Sequence, residues 1–313
     1  MKIAVLDDYQ NVALDCADWS DLNAQVEVFN SYLPDADELV RRLAGVEVVV
    51  AMRERTQFTA DVLHRLPDLK LLVTTGPRNA AIDVAAATRL GIVVSGTGYY
   101  PEPTVELTWA LILAAVRNLP AEERSMRDKG WQHTVGTELR GKTLGLLGLG
   151  NLGSRVARIG QAFGMDTIAW SQNLTPPRAA EHGVRAVTKE ELFANADVLS
   201  VHLVLGPRTQ GLVGSTELFA MKPSAILVNT SRGPIIDQDA LLDALRRKAI
   251  RCAALDVYDT EPLPADHPFR TLTNTVLTPH IGYVTRELYE VFYRDAVEDI
   301  TAFRAGQPIR VIG

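Results

Sequence analysis

Cysteine is scarce in this sequence, and recognisable metal-ligand patterns are missing. The chain of 313 residues has two cysteines, Cys16 and Cys252, which form neither a CxxC motif nor a zinc-ligand spacing. Such sparing use of cysteine fits a reducing compartment, and we interpret both residues as small buried apolar side chains. Histidine and acidic residues show no metal spacing either, so no metal site is predicted.

Long apolar runs and an excess of positive charge are also absent. No stretch reaches the roughly 18 apolar residues of a membrane-spanning helix. The apolar stretch in the amino-terminal MKIAVLDDYQ is too short for a secretory signal. We therefore expect a cytoplasmic protein without membrane contact. The net charge of −6 provides no basic surplus to neutralise phosphates, which argues against a nucleic-acid partner. The length is sufficient for two domains.

Short apolar runs alternate with longer helical patterns along the chain. Because the runs are nearly continuous, they predict strands of parallel sheets that are covered on both faces. The predicted strands lie at residues 2–6, 46–50, 69–73 and 91–94, and then at 142–147, 166–170, 197–204, 225–229, 251–255 and 275–278. Strand-then-helix repetition in two sets predicts an α/β fold with two doubly wound units.

Two long helical patterns, at 104–119 and 285–305, are expected to connect the units, and Pro120 is expected to end the first of them. The predicted domains are a discontinuous one, residues 1–98 plus 285–313, and an inserted one, residues 99–284. Ligands favour domain interfaces and the carboxyl ends of parallel strands, so the site is expected in a cleft between the domains.

A glycine motif, Gly148-x-Gly150-x-x-Gly153, follows an apolar strand and begins a helical pattern. In that context GxGxxG indicates dinucleotide binding. The first glycine allows a tight turn, the second lets the backbone approach the pyrophosphate, and the third lets helix and strand pack closely. The alternative is a glycine-rich turn that binds nothing.

The next strand ends without the acidic residue that usually bonds the ribose 2′-hydroxyl of NAD. Ser171, Gln172 and Asn173 stand there instead. A 2′-phosphate would not be repelled, yet no arginine stands in these three positions to bind it, and Arg178 comes later. NAD is therefore expected over NADP, with NADP left open.

Three polar stretches follow strands of the second unit and carry Arg232, Glu261 and His280. Reduction of a 2-keto acid needs a cation for the carboxylate, which the arginine fork supplies, and an acid for the carbonyl oxygen, which histidine suits. A nearby glutamate would favour the imidazolium. Taken singly, each residue has a plainer alternative: a surface arginine, a solvated carboxylate and a structural histidine.

These stretches together resemble the D-isomer-specific 2-hydroxyacid dehydrogenase family. The motifs are GLGNLG, VNTSRGPIID, LDVYDTEPLP and TPHIG, and the resemblance covers nearly the whole chain. It implies a flavodoxin-like substrate domain and a Rossmann NAD(P)-binding domain around a cleft, usually in a homodimer. It also implies that Arg232 binds the substrate carboxylate and that His280, paired with Glu261, gives or takes the proton.

The resemblance implies further contacts, among them a bond from Asp256 to the nicotinamide carboxamide. The implied cofactor-binding residues are Gly148, Gly150, Asn151, Leu152, Gly153, Ser171, His202, Thr230, Ser231, Arg232, Asp256, His280 and Gly282. The implied substrate-binding residues are Arg53, Gly76, Pro77, Arg78, Arg232 and Tyr283. A structural ion pair is an equally open interpretation of Arg53. Pro77 departs from the family pattern and offers no backbone N–H to a substrate, which leaves the substrate open.

The sequence therefore predicts an oxidoreductase that interconverts a small 2-keto acid and its D-2-hydroxy acid with NAD(P)H. The alternative is a non-enzymatic, NAD(H)-sensing interaction protein, because the fold alone does not separate the two. The set of Arg232, Glu261 and His280 favours the enzyme. A hydrolase is disfavoured because no GxSxG motif occurs.

Overall fold

The computed structural model describes residues 1–33 and 35–313, which form two compact units. The first unit consists of Met1–Tyr100 together with Val284–Gly313, and the second unit is Pro101–Tyr283.

The first unit begins with alternating strands and short helices. In chain order these are β1 (Lys2–Val5), β2 (Gln25–Val28), α1 (Ala36–Arg42), β3 (Val48–Ala51), α2 (Ala60–His64), β4 (Leu71–Thr74), α3 (Val84–Arg89) and β5 (Val93–Gly96), with a 3-10 helix at Ser20–Leu22. The described strands form one parallel sheet in the order β2-β1-β3-β4-β5. This is the flavodoxin-like order, so the predicted fold class is confirmed for this unit.

The second unit contains a larger parallel sheet. Its elements are α4 (Glu102–Val116), α5 (Leu119–Arg127), β6 (Thr143–Leu147), α6 (Asn151–Ala162), β7 (Asp166–Trp170), α7 (Pro176–Ala180), β8 (Arg185–Ala186), α8 (Lys189–Asn195), β9 (Val198–Val201), α9 (Ser215–Ala220), β10 (Ile226–Asn229), α10 (Gln238–Arg246), β11 (Cys252–Leu255) and β12 (Thr275–Leu277), with 3-10 helices at Gly233–Ile235 and Pro268–Arg270.

The strands of this sheet lie in the order β12-β11-β10-β9-β6-β7-β8. Successive residues of β10 pack into different apolar clusters, Leu227 into one and Ile226 and Val228 into the other. Both faces are therefore covered, which explains the continuous apolar runs in the sequence. The strand order is that of a doubly wound Rossmann domain, and the predicted class is confirmed here too.

The long helix α11 (Arg286–Arg304) returns to the first unit. It buries Phe292, Tyr293 and Ile300 completely. The residues after the helix lie along β5, where the N–H of Ile312 donates to the carbonyl of Val94 at 2.8 Å. The core of the first unit is thus completed by the carboxyl-terminal part of the chain.

Several elements differ from the sequence-based predictions. The two-residue strand β8 was not predicted, and β9 ends at Val201 rather than at residue 204. The strand β2 was not predicted, because Gln25 and Glu27 interrupt its apolar residues at the sheet edge. Helix α4 ends at Val116, so the prediction that it continues to residue 119 was wrong. Pro120 lies in the first turn of α5, where a missing N–H has no cost, and does not end the preceding helix.

Candidate active site

The loop after β10 is held by hydrogen bonds around Arg232. Asn229 is buried, and its Nδ2 donates to the carbonyl of Arg232 (2.9 Å) while its Oδ1 accepts from the N–H of Ser231 (3.0 Å). The hydroxyl of Ser231 donates to the carbonyl of Leu203, and Nη1 of Arg232 donates to the carbonyl of Ser231 (2.7 Å). Arg232 is half-buried, and these hydrogen bonds fix the backbone that carries its guanidinium.

Glu261 joins the loop after β11 to the turn after β12. Its Oε1 accepts from the N–H of Tyr258 (3.0 Å), and its Oε2 lies 2.5 Å from Nδ1 of His280. A Cβ atom on Gly233 would lie 2.1 Å from the carbonyl carbon of Tyr258, so glycine is what lets the Arg232 loop approach this loop. Because Nδ1 of His280 faces Glu261, Nε2 is the ring nitrogen left for proton exchange with a ligand.

Asp256 fixes the backbone of the turn that carries His280. This buried carboxylate accepts from the hydroxyl of Thr278 (2.6 Å), the N–H of Ile281 (2.8 Å) and the N–H of Gly282 (2.9 Å). His280 itself has a φ of +54°, a left-handed conformation that such bonds help to hold. Burial raises the pKa of Asp256, although the hydrogen bonds oppose the shift. Its bond to the carboxamide of a cofactor stays a prediction.

The glycine loop between β6 and α6 is tightly packed at two glycines and open at the third. Gly148 has a φ of +105°, and a Cβ atom there would lie 2.8 Å from the carbonyl oxygen of His202. A Cβ atom on Gly153 would lie 2.2 Å from the carbonyl oxygen of Gly148. Around the Cβ position of Gly150, which caps α6, no described atom lies within 4 Å. The helix N-terminus is therefore accessible to a pyrophosphate. The first turn of α6 contains the other two predicted residues, Asn151 and Leu152.

His202 and Ser171 follow the strands on either side of β6. Nε2 of His202 lies 2.8 Å from Oγ of Ser200, while its buried Nδ1 has no hydrogen-bond partner among the described residues. Burial lowers the pKa of His202 to about 4, so the ring is neutral at neutral pH. Ser171 is half-buried, and its carbonyl accepts from the N–H of Leu174 (3.0 Å). The contacts of both residues with a cofactor stay predictions.

The predicted substrate residues of the first unit lie on loops after β3 and β4. Arg53 has a φ of +53°, and its N–H and guanidinium donate to the hydroxyl (2.9 Å) and carbonyl (3.3 Å) of Thr75. A Cβ atom on Gly76 would lie 2.0 Å from Nη1 of Arg53. Asn79 donates to the carbonyl of Arg53 (2.5 Å) and so ties the two loops together. The other two residues of this set, Pro77 and Arg78, are exposed.

The structure thus brings Glu261 and His280 into direct contact and places Arg232 on a neighbouring loop of the same sheet edge. The ring of the buried Tyr283 lies edge-on to His280, with centroids 5.7 Å apart. The supporting role of Asn229 was not predicted from the sequence. Its signal was a polar residue that ends an otherwise apolar buried strand.

Within residues 1–33 and 35–313, no three histidine, cysteine or acidic side chains are grouped so that they could hold a metal ion. None of the helices in those ranges is both long enough and apolar enough to cross a membrane.

Comparison with known proteins links this arrangement to one family. Residues 109–282 match the family model of the D-isomer specific 2-hydroxyacid dehydrogenase, NAD binding domain. A glyoxylate reductase from Aeropyrum pernix is 41% identical over 90% of this chain and 87% of its own length. A D-3-phosphoglycerate dehydrogenase from Archaeoglobus fulgidus is 36% identical over 99% of this chain, which spans only 58% of that relative. The crystal structure of a phosphoglycerate oxidoreductase from Vibrio cholerae has a TM-score of 0.92 at 40% identity, covering 98% of this chain and 99% of that one.

Proposed function

The chain belongs to the D-isomer specific 2-hydroxyacid dehydrogenase family, and we propose that it reduces a small 2-keto acid to the D-2-hydroxy acid through Arg232, Glu261 and His280. It is an oxidoreductase that acts on CH–OH donors and uses NAD(H). The assignment of residues rests on the 2.5 Å contact between Nδ1 of His280 and Oε2 of Glu261. A carboxylate in that position orients the ring through Nδ1 and leaves Nε2 as the nitrogen that gives a proton during reduction.

Each residue of the set has one task in the proposed reaction. Arg232 binds the substrate carboxylate with its planar fork, and Asn229 supports its loop by donating to the carbonyl of Arg232 and accepting from the N–H of Ser231. The reduced nicotinamide, when bound, supplies a hydride to the carbonyl carbon. His280 gives the proton on Nε2 to the carbonyl oxygen, and Glu261 stabilises the ring while it is charged. The open N-terminus of α6 at Gly150 supports dinucleotide binding next to β6.

Glyoxylate is the first candidate substrate, because the 41% identical relative is named glyoxylate reductase. Arg53, Gly76, Pro77, Arg78 and Tyr283 are proposed to influence which keto acid is accepted. Since relatives are named reductases and dehydrogenases, the comparisons favour the enzyme over a non-enzymatic sensor. A homodimer and a cytoplasmic location stay predictions, the first of which sedimentation would check.

Ser171 bears on the choice between NADH and NADPH. A serine at the end of β7 has no charge to repel a 2′-phosphate, and it offers no cation to bind one. We therefore expect NADPH to support turnover less well than NADH.

The proposal is tested by following the absorbance of NADH and NADPH with glyoxylate, hydroxypyruvate and larger 2-keto acids. The control variant is His280→Ala, in which turnover should fall by on the order of 10²- to 10⁴-fold, the usual contribution of a general acid. NADH binding, measured by fluorescence, should fall far less than turnover. Equal losses of turnover and of NADH binding would contradict the role of His280 as the proton donor.

A further inference from the structure

Helix α4 packs against β10, β11 and β12, the three strands that lead to Arg232, Glu261 and His280. Its buried residues are mostly apolar, yet two of them are threonines one helical turn apart, Thr104 and Thr108. Only 8% of Thr104 and none of Thr108 is exposed. A buried hydroxyl is unfavourable unless it finds a hydrogen-bond partner, so the partners of these two side chains are informative.

The two hydroxyls bind to different functional loops. Oγ1 of Thr108 lies 2.8 Å from Oγ1 of Thr230, which directly follows β10 and is two residues before Arg232. Oγ1 of Thr104 donates to the carbonyl of Gly282 (2.9 Å), two residues after His280. One helix face therefore contacts both the Arg232 loop and the His280 turn.

Counting protons fixes the direction of the bonds. The hydroxyl of Thr108 donates its single proton to the carbonyl of Thr104 at 2.8 Å. In the bond between Thr108 and Thr230, Thr230 must then be the donor. Three hydrogen bonds therefore link the two loops through α4. The Thr230 hydroxyl donates to the Thr108 hydroxyl, which donates to the carbonyl of Thr104. The hydroxyl of Thr104 in turn donates to the carbonyl of Gly282.

We propose that Thr104 and Thr108 are positioning residues that hold the Arg232 loop and the His280 turn at a fixed separation. This inference rests on the proposed function, in which both side chains act on one substrate. Strands β10 and β12 are not neighbours, because β11 lies between them. Beyond the strand ends the two loops are linked through the loop after β11, where Asp256 binds the N–H groups of Ile281 and Gly282, and helix α4 adds a second connection that does not pass through that loop.

The test compares Thr104→Val and Thr108→Val, which keep the shape of the side chain and remove the hydroxyl, with the serine variants that retain it. We expect each valine variant to lower kcat/KM by about 10- to 100-fold, since small misplacements of catalytic groups have effects of this size. Loss of the Thr108 bond should mainly raise KM for the keto acid through Arg232. Loss of the Thr104 bond should mainly lower kcat and change its pH profile through His280. The serine variants should restore both values.

Thr167→Val is the matched control. Thr167 is also buried in the second unit, and its hydroxyl donates to the carbonyl of Gly183. It lies in β7, which β6 and β9 separate from β10 in the sheet. It should lower the melting temperature without changing kinetics. If Thr104→Val and Thr108→Val show only this behaviour, or if the serine variants are as impaired as the valine ones, the proposal is wrong. Alanine variants replace any valine variant that does not fold.

A second readout separates this inference from the proposed function. Nitrogen chemical shifts of the His280 ring, measured by NMR at one pH, should change in Thr104→Val and not in Thr167→Val. If the wild-type protein reduces no keto acid, the proposed function fails, while a selective change in the His280 shifts still supports the positioning role. Unchanged shifts in Thr104→Val overturn that role whether or not the wild type is active.

Discussion

Nδ1 of His280 lies 2.5 Å from Oε2 of Glu261, although the two residues follow different strands, β12 and β11. Glu261 is held in turn through its other oxygen by the N–H of Tyr258 at 3.0 Å. The backbone of its own loop therefore holds the carboxylate in the orientation in which it contacts the imidazole. A ring that is oriented in this way needs little rearrangement to exchange a proton through Nε2.

Replacing Glu261 tests this pairing. In Glu261→Gln a neutral amide takes the place of the carboxylate beside Nδ1, so the ring loses its charged hydrogen-bond partner. We expect kcat for reduction to fall by about 10-fold or more, because the ring is no longer held in position to give the proton on Nε2. The exposed Glu190→Gln is the control. A kcat equal to that of the wild type would contradict the pairing.

Substituting lysine for Arg232 tests the proposed carboxylate contact. Lysine keeps the charge but cannot make two parallel hydrogen bonds to one carboxylate. The KM for the keto acid should rise by about 10-fold or more, which corresponds to the loss of one charge-assisted hydrogen bond, while NADH affinity should change far less. Steady-state kinetics and fluorescence titration measure the two quantities. The exposed Arg246→Lys serves as control, and an unaltered KM in Arg232→Lys would rule out the two-pronged contact.

Gly233→Ala tests the close approach of the loops after β10 and β11. The added Cβ atom would lie 2.1 Å from the carbonyl carbon of Tyr258, so one backbone must move. Forced overpacking of this kind costs about 1–3 kcal/mol of folding free energy. We expect a lower melting temperature together with a loss of turnover, because the displaced loops carry Arg232 and Glu261.

The matched variant is Gly206→Ala, since no described atom lies within 4 Å of the Cβ position of Gly206. Its stability should stay within about 0.5 kcal/mol of the wild type, as for ordinary surface changes. Thermal unfolding and kinetics of the two variants are compared side by side. Wild-type behaviour of Gly233→Ala would show that the loops tolerate a wider separation.

The raised pKa of Asp299 predicts that the stability of the first unit depends on pH. Its side chain is fully buried, and burial raises its pKa from 3.8 to about 7, although a bond from Nε of Arg310 (2.9 Å) opposes the shift. Asp295 and Glu298 also face it and add to the rise. Because the folded state holds this proton more tightly than the unfolded state, the contribution of Asp299 to stability is greatest below about pH 4 and is lost as the pH rises through about 7.

Asp299→Asn removes this titration, so the free energy of unfolding should depend less on pH between 5 and 8 than in the wild type. Urea unfolding at several pH values measures the difference. Asp243→Asn, on an exposed ion pair of α10, should leave the slope unchanged. Parallel curves for wild type and Asp299→Asn would contradict the raised pKa.

The sequence was sufficient to predict the central strands, because the residues of each strand carry the apolar pattern on which the prediction depends. All four residues of β3 and of β4 are buried, and a continuous apolar run is what a strand covered on both faces requires. The edge strand β2 escaped detection since Gln25 is exposed and Glu27 is half-buried, so its pattern is weak. An edge strand such as β2 is held by pairing with one neighbouring strand, and its own composition indicates a strand only weakly.

The site was predictable at the level of residue types and strand ends, but its supporting bonds were not. Thr108 stands in an apolar helix and has the pattern of an ordinary core residue. Its contact with Thr230 joins positions 122 residues apart and depends on how α4 crosses the sheet. In the same way, the three donors that converge on Asp256 include two backbone N–H groups, whose direction no side-chain pattern encodes.

The division of the first unit between Met1–Tyr100 and Val284–Gly313 has a consequence for how the protein is made. A ribosome releases the five strands β1–β5 first, but Phe292, Tyr293 and Ile300, which complete their core, are translated only after the whole of the second unit. The nascent second unit is continuous, so it has all its residues available to fold while the first still lacks a helix. The domain that is begun first is thus the last to be finished, and until α11 is translated its core lacks these three side chains.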